Sequence, residues 1–329
     1  MTTGSFDRID ANARIDFPAL FNDTLSTKVT VMSQNGGGYF DNVVRGEDEG
    51  DTEFFGINAQ ALWEPTDMFE MLVSFDYFDD TTPTRPVTAL TQPGEAFCVP
   101  GVFDCGAPPQ DEDFHRNTTT TLSQDAFVET FAVTLQPRLD INDDHSIQGV
   151  FGWRDTDEDA IQEFDGVESD IFATQRPQTM EQLSAELRWH GDWLDGAVQS
   201  VLGGFYWDSS YELNQRTTSP VFFGVPMMTG DIVGTRPDFK QETEAYAVFG
   251  QVDWNVTDFI TITAGGRWLR EEKTACGTQA FDLLNIGITT VASYGADGFF
   301  LCDSSDPFYL ANSVNPLTGV NASQESLPS

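Results

Sequence analysis

The sequence predicts an all-β protein, an antiparallel up-and-down transmembrane β-barrel, on three observations. Apolar residues recur with a period of two. Connections between these segments alternate short with long, and aromatic rings gather at both ends of the strands.

The period appears first from Arg8 to Phe17. Arg8, Asp10, Asn12, Arg14 and Asp16 alternate with Ile9, Ala11, Ala13, Ile15 and Phe17. Successive strand side chains point to opposite faces, so this segment has one wet face and one apolar face. The alternation returns in Ile57–Trp63, Phe69–Tyr77, Ile147–Trp153, Leu183–Trp189, Tyr246–Trp254 and Ile260–Trp268. Weaker strands are expected near Leu25–Met32, Phe127–Leu135 and Val198–Trp207, giving ten in all. Short connections fall at Pro18–Thr24, Glu64–Asp67, Leu139–Asp144, His190–Gly196 and Asn255–Asp258. Long ones cover roughly 34–51, 80–124, 155–178, 212–240 and 274 onward. Tight turns at one end and long loops at the other describe a barrel with periplasmic turns and extracellular loops. Strands of about ten residues match the bilayer. Trp63, Trp189 and Trp254 end strands running into short turns, and Phe69 begins one. Tyr77, Trp153, Trp207 and Trp268 sit at the opposite ends. Two bands of amphipathic rings are what membrane interfaces select. The competing reading is a soluble sandwich with these rings in its core.

Composition narrows the function. With 53 Asp+Glu against 16 Lys+Arg and a net charge of -37, the chain has no basic face for nucleic acid. Its 27 Phe, 7 Trp and 7 Tyr are too many for a disordered chain. No apolar run is long enough for a membrane helix, and Met1–Asp7 is no secretory signal. Acid collects at Glu47–Asp51, Asp79-Asp80, Asp111–Asp113 and Asp155–Asp170. Asp155–Asp159 resembles the start of a calcium loop. That loop requires Gly sixth and Glu twelfth, where Ala160 and Gly166 stand, so a solvated surface is the expectation. The four cysteines lie in long connections, and their proximity suggests two local disulfides, Cys98–Cys105 and Cys276–Cys302, formed in an oxidising compartment. His115, His145 and His190 lie in unrelated connections, with no metal-ligand spacing. No nucleophile, phosphate-loop or zinc-protease motif occurs, so no catalytic residue, metal or cofactor is expected.

Several segments together resemble the TonB-dependent outer-membrane receptors. Asp16–Leu25 resembles their strand–turn–strand entry, and Gly38–Asn42 with Gly46 and Gly50-Asp51 their first large loop. Leu62–Asp67 resembles the next turn; Gln182–Arg188 and Ala247–Trp254 resemble mid-barrel strands, and Thr257–Trp268 the hairpin that follows. The resemblance covers residues 5–273. It implies an active transporter in the outer membrane of a Gram-negative bacterium, importing a ferric siderophore, cobalamin or oligosaccharide. Its partners would be outer-membrane lipid, the small solute, and the TonB–ExbB–ExbD complex acting through a plug. The expected site residues are Arg154, Tyr211, Arg267 and the Phe222-Phe223 stretch, with Arg188 and Arg267 equally suited to pairing with Glu186 or other wall acids. The family's signal peptide, TonB box and plug are not found, nor is a final strand ending in an aromatic. Ten strands also fall short of the roughly 22 of the transporter barrels. The expectation is an internal piece, 1–329, of a longer receptor, inactive alone. A general porin, a soluble adhesin or sugar-binding module, and a small complete barrel stay open.

Overall fold

The computed structural model describes residues 1–88, 117–168, 172–218, 233–283, 288–292, 314–315 and 320–321; side chains are described as far as 277, apart from 233–236. In chain order the strands are β1 (Thr2–Thr3), β2 (Ile9–Leu20), β3 (Leu25–Gly36), β4 (Phe40–Asn42), β5 (Glu47–Glu49), β6 (Thr52–Thr66) and β7 (Phe69–Asp80). There follow β8 (Asn117–Thr118), β9 (Ala126–Asn142), β10 (His145–Glu163), β11 (Ala173–Gln175), β12 (Gln178–Trp193), β13 (Val198–Asn214) and β14 (Arg216–Thr218). The last long pair is β15 (Val233–Thr257) and β16 (Ile260–Leu283), with β17 (Ile288–Ala292) beside it.

Each of the ten long strands pairs antiparallel with the next, from β2–β3 and β3–β6 through to β13–β15 and β15–β16. These are the ten strands expected from the alternation. Among the described residues no pairing joins β2 to β16 or β17, so the sheet is open.

Turn chemistry follows from the residues at the short connections. Phe21, Asn22 and Asp23 take positive φ, as do Leu194, Asp195 and Gly196. Left-handed turn residues match the right-handed twist of the flanking strands. Asp67-Met68, Asp143-Asp144 and Asp258-Phe259 make the other short turns without positive φ. A register shift sits at each, between Trp63 and Thr66, His145 and Ser146, and Asn255 and Thr257. A register shift also lies between Phe17 and Leu20, beside a positive-φ turn, and each such bulge adds local twist.

The strands run further than the alternation indicates. Residues 155–163, 212–214, 233–240 and 274–283, read above as loop, are strand. At ~3.4 Å per residue the 25 residues of β15 extend about 80 Å, against a hydrocarbon core of about 30 Å. Beyond the apolar slab neither parity is consistently apolar, so the period of two disappears from the sequence while the hydrogen-bond ladder continues.

Register assigns the faces. Ile15, Val29, Ala59, Phe75, Val133, Trp153, Leu183, Tyr206, Tyr246 and Arg270 lie on one face; Arg14, Lys28, Gln60, Ser74, Thr134, Gly152 and Ser184 lie on the other. The first face leaves its large apolar side chains uncovered: Ile15, Leu187, Leu202, Val248, Ile262 and Trp268 are all more than half exposed. The buried apolar set among the described residues is small, mostly alanines. A sandwich would have covered this face with a second sheet, because leaving it in water forfeits about 25 cal/mol per Å². No second layer covers it among the described residues, so the sandwich reading does not fit.

Two aromatic clusters bound the apolar band. At the turn end Trp63 meets Phe69 at 5.8 Å, and Trp189 meets Trp193 at 5.7 Å. At the loop end Phe75, Phe131 and Trp153 form an edge-to-face chain at 4.9 and 5.5 Å. The loop-end rings reach outward to acids. Tyr77 donates to Glu129 at 3.2 Å and Trp153 Nε1 to Glu181 at 3.0 Å. One rung beyond Trp153, outside the apolar band, Asp155 has its pKa raised by burial first and then by Glu181, Asp157 and Glu129. A carboxyl whose pKa is raised on folding contributes most below the ordinary carboxylate range, and loses that contribution as pH rises through the raised value. Asp155→Asn should therefore raise stability at neutral pH and flatten the gain on acidification, read as urea midpoints at pH 4 and 7.

The loop end carries its own small sheet, in which β4 pairs antiparallel with β5 and parallel with β8. Its centre is polar. Fully buried Asn42 donates from Nδ2 to Glu49 Oε1 at 2.7 Å and to the Thr120 carbonyl at 2.8 Å, while its Oδ1 accepts from the Val44 and Arg45 amides. Glu49 also accepts from Thr118 and Thr120 hydroxyls at 2.7 and 2.8 Å. Removing a shared acceptor strands several buried donors, each costing about 1–3 kcal/mol. Glu49→Ala should loosen this platform by about 3 kcal/mol, seen as roughly hundredfold faster amide exchange in 117–120 with little change in the barrel strands.

Candidate functional site

The face opposite the apolar one is lumenal in a barrel, and β13 supplies its most distinctive stretch. Gly203, Phe205, Trp207, Ser209 and Tyr211 alternate onto that face, opposite Phe249, Ala247, Ala245, Thr243 and Gln241 of β15. Small residues make room for large ones. A Cβ at Gly203 would lie 2.3 Å from the Phe249 ring, so the glycine lets that ring lie across the strand. Ala245 and Ala247 are buried opposite Trp207 and Phe205. The Phe205 and Trp207 rings stack at 6.5 Å and 27°, and Trp207 Nε1 donates to Ser209 at 3.1 Å. Higher up, Tyr211 meets Phe239 at 6.0 Å and donates to Gln178 at 2.8 Å. Burial pushes the Tyr211 phenol up, with Arg176 opposing.

Cations on this face fall into two groups. Arg14, Arg138 and Arg188 are neutralised two residues along their own strands by Asp16, Asp140 and Glu186. This spacing puts both partners on one face of a strand. Arg267 instead stands over the Phe205 ring, its Cζ 5.9 Å from the centroid. Arg154 shares its rung with Gln182 and, through it, Ser209. Among the described residues neither Arg154 nor Arg267 has a carboxylate within ion-pair distance. A guanidinium without a carboxylate partner beside stacked rings, as at Arg267, offers an anionic, planar ligand both charge and surface.

Arg154, Tyr211 and Arg267 are therefore on one face, with Arg267 over the Phe205–Trp207 stack and Tyr211 against Phe239. Phe222 and Phe223 lie outside the described residues, as do Cys98, Cys105 and Cys302. Cys276 is buried and disulfide-bonded. Trp63, Phe69, Tyr77, Trp153, Trp189, Trp254 and Trp268 lie on the apolar face by register. Trp207 does not. It pairs with Ser184 and Ala245 on the lumenal side, and Tyr206, 5.2 Å from Tyr246, takes its place in the outer band. Both parities of Gly203–Trp207 are apolar or aromatic, so the sequence has no signal for which one faces lipid. The same ambiguity hides Phe205, whereas Phe249 stands out only once register sets it opposite Gly203. Among the described residues no group of His, Cys, Asp and Glu is arranged to hold a metal ion.

No protein-family model matches the chain. Solved structures do. The ferric yersiniabactin uptake receptor FyuA from Yersinia pestis is 18% identical with a TM-score of 0.60, over 88% of this chain and 40% of that one. The ferric-catecholate import receptor Fiu from E. coli K12, in its open form, is 13% identical with a TM-score of 0.55, over 92% of this chain and 47% of that one. The ferric citrate transporter FecA, unliganded, is 13% identical with a TM-score of 0.55, over 88% and 39%. The chain thus spans less than half the length of each. These neighbours are an uptake receptor, an import receptor and a transporter. What is shared at these identities is the fold, and the chain has the fold of a portion of the β-barrel of the TonB-dependent siderophore receptors.

Proposed function

We propose that this chain is the barrel portion of an outer-membrane TonB-dependent transporter in a Gram-negative bacterium, and that its solute is an anionic ferric chelate bearing aromatic groups. The observation that carries the reading is the ladder of Phe249, Phe205 and Trp207 with an unpaired Arg267, set on the polar face of a sheet whose other face is uncovered and apolar. Lipid covers the apolar face, and the ladder meets solute descending from the loops. Import is driven by TonB–ExbB–ExbD through a plug belonging to the rest of the receptor. The open sheet supports one further point: unpaired strand edges are not tolerated in hydrocarbon, so this portion alone transports nothing. A pair between Cys276 and Cys302, and another between Cys98 and Cys105, belong to the same reading.

The test is uptake of radiolabelled iron by cells whose sole route is the intact receptor, supplied as a ferric catecholate or as ferric citrate. Uptake of the catecholate that stops when the proton-motive force is collapsed supports the reading. Equal uptake of both would remove the aromatic assignment, and uptake insensitive to the proton-motive force would indicate a passive pore.

A further inference from the structure

Toward the loop end from the Phe205–Trp207 stack, the same polar face carries two more aromatic pairs at a common height. Phe54 and Phe78 stack at 6.2 Å and 29° across β6 and β7, and Tyr211 meets Phe239 at 6.0 Å across β13 and β15. Register joins them. Phe78, Thr130, Thr156, Met180 and Tyr211 form one continuous rung across β7, β9, β10, β12 and β13. On the next same-face rung, Phe54 is joined to Phe239 through Asp80, Val128, Glu158, Gln178 and Leu213. Gly56, opposite Phe78, repeats the device seen at Gly203: a Cβ there would lie 3.2 Å from the Phe54 ring.

Arg154 stands midway between the two pairs. It is on β10, with β9 separating it from β7 and β12 separating it from β13, one same-face position below the Phe78–Tyr211 rung. Strands lie about 4.8 Å apart, so each aromatic pair flanks it at about 10 Å. The side chains between are short. Ala132 and Thr130 are buried, and the Thr130 and Thr156 hydroxyls bond each other at 2.9 Å, which leaves a trough beside the guanidinium. Asp76, on the Arg154 rung, already accepts from Asn58 Nδ2 at 2.6 Å. Arg176 and Glu158 both act on the Tyr211 phenol. Arg176 is exposed, and like Arg154 it has no carboxylate within ion-pair distance among the described residues. From Phe205 to Tyr211 the chain advances about 20 Å along β13, too far for one compact chelate to lie on both levels.

Resting on the solute class proposed above, we propose that the trough centred on Arg154 is a second, upper site for the same anionic aromatic chelate, held between Phe78 and Tyr211 before it reaches the Arg267 ladder. Binding there is weaker than at the ladder, because the rings flank the guanidinium instead of lying beneath it. The probe is a ferric tris-catecholate, titrated calorimetrically into the intact receptor in detergent micelles, with ferric citrate as the control without rings. Wild type should take two equivalents of the catecholate, one tight and one weaker, and no weaker equivalent of the citrate. Trp207→Ala should weaken the tight equivalent and leave the weaker one unchanged. Arg154→Gln and Phe78→Leu should each weaken the second equivalent about tenfold and leave the tight one within about twofold, which also shows that these variants are folded. A single equivalent that responds to Trp207→Ala alone would overturn the upper site and leave the ladder reading standing, whereas no catecholate binding at all would overturn both. A second equivalent indifferent to Arg154→Gln or to Phe78→Leu would likewise overturn the upper site.

Discussion

Replacing Leu135 with arginine should cost about 2–4 kcal/mol of folding stability in a bilayer, whereas the same change at Leu269 should cost less than about 0.5 kcal/mol. Leu135 is midway along the apolar face of β9, four residues from Leu139 at the turn-end aromatic level and four from Phe131 at the loop-end level. It lies between Val73 and Phe151. A guanidinium there has neither water nor a counter-ion within the band, and its distance from both interfaces prevents easy snorkelling. Leu269 is on the opposite face, beside Ala247, and is the more exposed of the two at 49% against 37%. Both positions count as exposed, so exposure alone predicts a small cost at each, as it would for a soluble protein. Urea-titrated folding of the intact protein into vesicles measures both. Similar small costs at the two positions would rule out lipid on the apolar face.

The second large effect concerns the ladder. Trp207→Ala should weaken binding of a ferric catecholate by at least about thirtyfold, and Arg267→Ala by about tenfold or more. Arg188→Ala should change little, because Glu186 already neutralises that guanidinium. The physical difference is solvation. Arg267 spreads over the Phe205 ring with no carboxylate partner among the described residues, so an arriving anion displaces only water from it. Trp207 offers a flat surface fixed by its bond to Ser209, and stacking there costs little rotamer entropy. Its lumenal position also separates two readings. A lipid-facing Trp207 would lower folding yield and leave affinity intact; a lumenal one does the opposite. Equilibrium binding and folding yield on the same preparations distinguish them.

Much of the fold was legible because a one-sided apolar face imposes a simple pattern. Ile9 through Phe17 announce a strand, since every second side chain is apolar where one face of a sheet is apolar. The Asp-containing short turns and the ring of tryptophans mark its two ends for the same reason. Legibility stops where that constraint stops. Arg236 to Glu242 and Thr274 to Leu283 are strand with neither parity consistently apolar, and nothing in their residue order distinguishes them from loop. The i to i+2 ion pairs, such as Arg14–Asp16 and Arg138–Asp140, are visible in sequence once a strand is assumed. The polar platform of Asn42, Glu49, Thr118 and Thr120 is not, because Thr118 and Thr120 stand 69 to 78 residues from the Glu49 and Asn42 they bond.

The sequence by itself determined the fold class, the ten long strands and the faces of the strongly alternating ones. The contrast between a polar and an apolar face is written along each strand separately, and that information is local. Tertiary structure decided the face of Trp207, the freedom of Arg267 and the common height of Phe78 and Tyr211. Each depends on which residue of a neighbouring strand or loop stands opposite, and that registry is fixed only when the strands pair.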